Sequence, residues 1–284
     1  MAFENMKSML HRARHEGYGV GAFNVVDLNS TRAVIDGASE MQAPVIVQTS
    51  AKTVLFWGAS VLADWVNTLA RQSPFPVALH LDHCKDVALI GQCIEAGWTS
   101  VMIDASSRPF DENLAMTRQV VEMAGPADVS VEAELGEIGG VEDDKSVADA
   151  DARLADPAKA ESFCRHVPID CLAPAIGTAH GIYKGEPRIA FDRLAEISRR
   201  VSLPLALHGG TGLAPEVFRE CIRLGCAKVN ISTQLKHTFI DSFVAHHADH
   251  PDQYEPLKGL GVQYDRLKQD VKCFIELFGA NLKG

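Results

Sequence analysis

No apolar stretch in this sequence approaches the ~18 residues that a membrane-spanning helix needs, so a membrane span is not expected. An excess of positive charge is also missing. Against 37 Asp and Glu stand only 27 Lys and Arg, a formal charge of −10, which argues against the basic face used to wrap nucleic acid. A small phosphorylated ligand remains open, because it needs only a local site. Cys-x-x-Cys pairs are absent: the seven cysteines lie at 84, 93, 164, 171, 221, 226 and 273, mostly in apolar strand or helix contexts. That is the habit of buried free thiols in a reducing compartment. Met1–Gly17 has no hydrophobic signal core, and a cytoplasmic location is expected. Low-complexity stretches and linkers are missing too, so residues 1–284 read as a single domain. Disorder is excluded, since 46% apolar content is ample for a core.

What is present is a repeat of short apolar, β-branched runs followed by amphipathic helical stretches. The strand candidates are Val20–Asn24, Val45–Gln48, Val77–Asp82, Ser100–Asp104, Ser130–Leu135, Cys171–Ile176, Leu205–His208 and Ala227–Ile231. Eight alternating β and α units predict an α/β fold, a closed (β/α)8 TIM barrel, with an open doubly wound sheet as the alternative. A Gly-, Asp- and Ala-rich segment from Gly136 to Asp156 is long for a loop, which marks it as functional or mobile. From Leu235 to Gly284 an extra helical segment is expected, with a turn around Pro251 and Pro256. It would cover a barrel end or meet a second subunit.

This fold places its chemistry at the C-terminal ends of the strands. Read in order, those ends carry Asn24, Ser50, Asp82 and His83, Asp104, Glu132 and Glu134, His180, His208 and Asn230. His83, His180 and His208 follow three different strands, so a barrel aims them at one mouth, and three neutral imidazoles with an open fourth position suit catalytic zinc. The alternative is three separate hydrogen-bonded barrel histidines. His80, deeper in its strand, suits that alternative better. Asp82, just before His83, would lie beside the metal, where a general acid/base belongs. Glu132 and Glu134 share a strand face by period two, and with Asp104 they read equally well as a structural polar network. Gly181, Gly209-Gly210-Thr211-Gly212 and Asn230-Ile231-Ser232-Thr233 follow neighbouring strands, where glycine turns and helix N-termini cradle phosphate.

These residues carry a resemblance. Ala22-Phe23-Asn24-Val25, Leu79-His80-Leu81-Asp82-His83, Ser100 to Asp104, Ser130 to Gly136 and Ala175 to Gly181 resemble, in order and nearly end to end, the class II metal-dependent ketose-bisphosphate aldolases. The branch is that of the fructose-bisphosphate and tagatose-bisphosphate aldolases. The resemblance implies a lyase that reversibly cleaves a ketose 1-phosphate or 1,6-bisphosphate. The products are dihydroxyacetone phosphate (DHAP) and an aldehyde, formed through a zinc-stabilised enediolate. His83, His180 and His208 would bind Zn2+, with Glu134 and Asp104 as alternate or second-metal carboxylates. Asp82 would move the proton on the aldehyde-derived hydroxyl, and Glu142 the carbon-bound proton of DHAP. Asn24 and Ser50 would line the substrate site. Gly181, Gly209, Gly210, Thr211, Asn230, Ile231, Ser232 and Thr233 would hold the phosphate, with Na+ or K+ assisting nearby. Zinc removes the need for a Schiff base, so Lys184 reads as a phosphate-side or surface lysine. A homo-oligomer, dimer or tetramer, is implied as well. A non-catalytic sugar-phosphate-binding barrel and a Schiff-base aldolase are the competing readings.

The departures fall on the aldehyde half. Ser50-Ala51-Lys52 follows strand two in place of Ser-Glu-Gly, and Ser107 replaces a histidine. Ser232 matches neither branch, and Glu255-Pro256-Leu257-Lys258 lacks the arginine that relatives direct to a distal phosphate. The expected aldehyde is therefore unphosphorylated or bears another anion, such as a carboxylate, held by Lys52.

Overall fold

Each of the eight apolar runs forms a strand: β1 (Val20–Asn24), β2 (Val45–Ser50), β3 (Val77–Cys84), β4 (Ser100–Ile103), β5 (Ser130–Leu135), β6 (Cys171–Pro174), β7 (Leu205–Leu207) and β8 (Cys226–Ile231). The structure, a computed structural model, describes residues 3–142, 145–147, 154–183 and 185–284. All eight strands pair in parallel, and Ala22 of β1 lies opposite Asn230 of β8, which closes the barrel. That ladder leaves no edge, so the open-sheet alternative is excluded. β2 and β3 run two residues past their expected ends, while β6 stops at Pro174 and β7 at Leu207. Gly177 (φ 96°) and Gly209 (φ 67°) turn the chain just beyond those two early stops.

Helices start promptly after strands because acidic side chains cap them. Asp27, Asp86 and Asp156 each accept backbone N–H bonds in the first turn, at 2.7, 2.8 and 2.9 Å. Caps of this kind contribute about 1 kcal/mol each. The N-terminal end of the barrel is sealed by a helix the sequence pattern does not announce, Lys7–Glu16. It buries Met9, Leu10 and Ala13. Arg14 donates to the carbonyls of Ser198 and Val201, both at 2.9 Å, and to that of Leu203, satisfying a helix C-terminus.

The tail forms two helices, Thr233–Asp249 and Pro256–Leu277. The second does not cover a barrel end. Its buried stripe, Gly259, Gln263, Leu267, Val271 and Ile275, recurs every four residues and lies along the barrel's side against helix Leu28–Glu40. Phe274 packs 6.4 Å from Phe23 of β1, and Lys268 and Lys272 reach Glu40 at 2.9 and 2.7 Å. The long segment after β5 carries strand. Gly139–Glu142 pairs antiparallel with Lys145–Val147 and parallel with Ala179–His180.

Inside, the barrel is polar rather than filled with branched apolar layers. Gln48, His80, Ser100, Glu132 and Lys228 are all fully buried there. By period two Ala227, Val229 and Ile231 of β8 turn out to the helices, while Lys228 and Asn230 turn in.

Candidate metal centre and substrate site

The site begins with an irregularity in β3. Its ladder with β4 slips between Leu81 and Cys84, and His83 adopts φ 45°, in the left-handed region that a side chain rarely tolerates. A bulge of this kind re-aims side chains. Here Asp82 and His83, which a regular strand would send to opposite faces, both point into the mouth.

His180 arrives on the short strand after β6, and His208 just past β7. The ring centroids of His83 and His208 lie 4.6 Å apart, and those of His83 and His180 lie 4.8 Å apart. Each ring offers one nitrogen to a common point, with all ligand atoms within 4.8 Å of one another, and His208 Nδ1 stands 2.7 Å from His83 Nε2. Three imidazoles from separate strands are a donor set whose chemistry fits zinc, and the 2.7 Å contact is a hydrogen bond between two of the rings that a bound metal would replace. Burial lowers the His208 pKa, which favours the neutral ring a metal requires.

The surrounding carboxylates take the opposite nitrogens. Glu132 Oε1 accepts from His208 Nε2 at 2.7 Å. Asp104 Oδ2 and Glu134 Oε2 lie 3.2 and 3.4 Å from His83 Nδ1, forming a second possible ligand group with it. Since each ring nitrogen serves one partner, a metal on His83 Nε2 leaves Asp104 to accept from Nδ1–H, the usual way a ligand ring is oriented, with Glu134 alongside. Burial pushes the Glu132 carboxyl up, but the Lys228 ammonium at 3.0 Å and the His208 bond outweigh it and hold the group below the ordinary range. His80 bonds Ser100 Oγ at 2.7 Å, and burial, reinforced by Lys228, lowers its pKa. It belongs to the polar core, as its depth in the strand suggests.

Among the described residues, the side-chain hydrogen bonds of Asp82 all go to amides. Its Oδ2 accepts from Asn24 Nδ2 at 3.1 Å and Gln48 Nε2 at 3.3 Å, and its Oδ1 from Asn230 Nδ2 at 3.2 Å. Three amides thus hold a carboxylate beside the imidazoles, only 2% exposed.

A small cleft adjoins the histidines, lined by Gly181, Gly209, Gly210, Thr211, Asn230, Ser232 and Thr233 together with His180. Thr233 opens the 17-residue helix Thr233–Asp249, whose N-terminus favours an anion. The buried Ser232 Oγ has no hydrogen-bond partner among the described residues. Tyr183 ties two of the loops: its hydroxyl donates to Gly209 O at 2.7 Å and accepts from Ala179 N at 3.0 Å.

Several expected residues fall differently. Ile231 is a core residue that does not line the cleft, because period two turns its side chain away from Asn230. Ser50 ends β2, with its hydroxyl 3.4 Å from that of Thr53. Lys52 is exposed in the first turn of helix Ala51–Trp57. Leu257 is 73% exposed at the start of the last helix. Lys184 and the side chain of Glu142 lie outside the described residues. Gln48, Lys228 and Tyr183 are additions. The signal for Lys228 is its period-two relation to Asn230 within an otherwise apolar strand.

Among the described residues no helix is long and apolar enough to cross a membrane. Comparison with known proteins places this geometry in context. The family model "Fructose-bisphosphate aldolase class-II" matches residues 4–283. A sulfofructosephosphate aldolase of Alkalicoccus urumqiensis is 36% identical, covering 100% of this chain and 99% of that protein. A probable fructose-bisphosphate aldolase of Bacillus subtilis (strain 168) is 40% identical, covering 99% of each. Among solved structures, the YdjI aldolase of Escherichia coli K12 superposes with a TM-score of 0.87 at 29% identity over 99% of both chains. The family is generally zinc-dependent and acts on sugar phosphates, in keeping with the three-histidine group. The chain belongs to the class II fructose-bisphosphate aldolase family and is an aldolase.

Proposed function

We propose that this aldolase is zinc-dependent and cleaves a ketose 1-phosphate or 1,6-bisphosphate to DHAP and an aldehyde, reversibly, in one domain spanning residues 1–284. The observation that carries the reading is the convergence of His83, His180 and His208 beside an amide-held carboxylate, Asp82. Zinc held by the three imidazoles supplies Lewis-acid stabilisation of the negative charge left on the ketose oxygens when the carbon–carbon bond breaks. Asp82 takes the proton from the hydroxyl on the carbon that becomes the aldehyde, and returns it in condensation. Asn24, Gln48 and Asn230 hold that carboxylate in place. Glu142, which matches the mobile-loop acid of the family, delivers the proton to the DHAP carbon. Gly181, Gly209, Gly210, Thr211, Ser232 and Thr233 bind the phosphate through backbone N–H groups and hydroxyls, with Lys184 and a monovalent cation nearby. Asp104 and Glu134 orient His83 and offer the alternate metal position.

At the distal end the reading is an aldehyde bearing an anion other than phosphate, or none, with Lys52 as the cation. Two relatives of similar identity act, by their names, on a sulfofructose phosphate and on fructose bisphosphate. A single lysine is a point charge suited to a monoanion such as a sulfonate or carboxylate. A cytoplasmic setting is proposed from the seven free cysteines. A homo-oligomer is proposed from Leu55, Phe56 and Leu257, which are 75%, 77% and 73% exposed. The deciding experiment is a retro-aldol screen of ketose 1-phosphates, a sulfofructose phosphate and fructose 1,6-bisphosphate, scoring DHAP release with and without chelator. DHAP release that needs metal is expected. Release undiminished in metal-free protein, or from no substrate at all, refutes the reading.

A further inference from the structure

We propose that Lys228 is a positioning residue that sets the orientation of two groups at once, the Asn230 amide facing Asp82 and the Glu132 carboxylate facing His208. The inference rests on the roles proposed for Asp82 and His208. Lys228 lies on β8, fully buried inside the barrel, a costly place for an ammonium unless its hydrogens are bonded. It donates to Asn230 Oδ1 at 2.8 Å and pairs with Glu132 Oε2 at 3.0 Å.

A lysine has three donors and no acceptor. The atom that Asn230 turns toward Lys228 must therefore be its oxygen, and that alone assigns Nδ2 to the other side. There it donates to Asp82 Oδ1 at 3.2 Å. Without the ammonium the amide is free to flip and set an acceptor against a carboxylate. The same logic applies across the barrel. The ion pair of Lys228 with Oε2 of Glu132 holds the carboxylate so that Oε1 faces His208 Nε2 at 2.7 Å, and accepting from that nitrogen favours the tautomer whose Nδ1 faces the metal centre. His80 Nε2 also lies 3.6 Å from Glu132 Oε2, and its own bond to Ser100 accounts for its place.

A purely structural ion pair would behave differently, and a mutant cycle separates the two. Lys228→Met alone leaves an unpaired buried carboxylate and Glu132→Gln alone an unpaired ammonium, so Lys228→Met is made in the Glu132→Gln background, where the double variant strands neither charge, and its kcat is compared with both Glu132→Gln and the wild type. There Lys228→Met is expected to lower kcat about 10–100-fold, the range for groups that orient an active site, with KM changed far less. Zinc affinity, read by competition with a chelating dye, should match that of Glu132→Gln alone. Asn230→Leu should lower kcat similarly, and the two together should cost no more than either, because one acts through the other. Additive losses, or a wild-type kcat for Lys228→Met in that background, overturn the proposal. If the Glu132→Gln background fails to fold, Asn230→Leu in the native chain decides: an unchanged kcat there overturns it too. Failure of the functional reading shows separately, in the wild-type protein, as absent zinc binding or absent DHAP release.

Discussion

Asp82 and His83 are adjacent in sequence, yet both enter the same site, because the β3–β4 ladder slips there and His83 takes φ 45°. The irregularity separates two roles on consecutive residues. One side chain turns to the other histidines and the next to amides of β1, β2 and β8.

That division predicts an asymmetric pair of variants. Asp82→Ala should retain zinc at His83, His180 and His208 while losing about 10²–10⁴ in kcat, the range for general acid–base catalysis. Metal content and turnover measured on the same sample check it. Loss of zinc would make Asp82 a ligand.

His208→Ala should instead lose the metal, and chelation of the wild type should abolish turnover until zinc or cobalt is restored. Metal analysis after gel filtration, paired with the DHAP assay, tests this. Full activity in metal-free protein contradicts it.

Gly140 tests the hairpin's part in placing His180. Its φ is 89°, and a Cβ there would stand 2.1 Å from His180 O. Gly140→Ala should force the two short strands apart, weakening zinc binding with little change in the barrel's circular dichroism. Unchanged affinity would show that His180 does not depend on this pairing.

Acid should destabilise the metal-free protein. Burial, with the Lys228 ammonium adding to it at His80, holds His80 and His208 below the ordinary imidazole pKa. The unfolded chain therefore binds protons that the folded one refuses. Stability falls as pH drops below about 6.5, by up to ~1.4 kcal/mol per pH unit for each ring. Melting temperatures between about pH 7.5 and about pH 5.5 should decline, and His80→Gln should flatten the slope. Equal slopes in both proteins would remove His80 from the account.

The distal anion separates substrates. If Lys52 holds it, Lys52→Ala should lower kcat/KM for a sulfofructose phosphate much more than for a ketose 1-phosphate with no distal charge, and fructose 1,6-bisphosphate should be poor in both proteins. The bisphosphate as best substrate, with Lys52→Ala without effect, would mark Ala51-Lys52 and Leu257 as neutral changes.

Much of this was legible in the sequence because barrel strands announce themselves and the polar residues gather at one end of each. The three histidines, Asp82 and the glycine turns needed nothing more. What stayed hidden depends on partners distant in sequence. Lys228 reads as an ordinary charged residue until β5 brings Glu132 to within 3.0 Å. Gln48 reads as strand interior until Asn24 and Asp82 meet it. Leu257 stands where relatives carry a phosphate-directed arginine, and within this chain its side chain meets solvent. Helix Lys7–Glu16 carries little sequence signal because its buried face is only Met9, Leu10 and Ala13.

The last helix also dictates when the barrel can be finished. Phe23, near the start of the chain, is covered by Phe274, and the β1 entry is tied by Gly19 N to Phe278 O at 2.9 Å. During synthesis β1 therefore emerges some 250 residues before the side chain that shelters it. Its β8 neighbour follows some 200 residues after it, and the cover of Phe274 comes later still. Contacts of such sequence separation are closed late and at high entropic cost. The nascent barrel spends most of its translation as an open, unsheltered sheet, the stage at which a chaperone has most to hold.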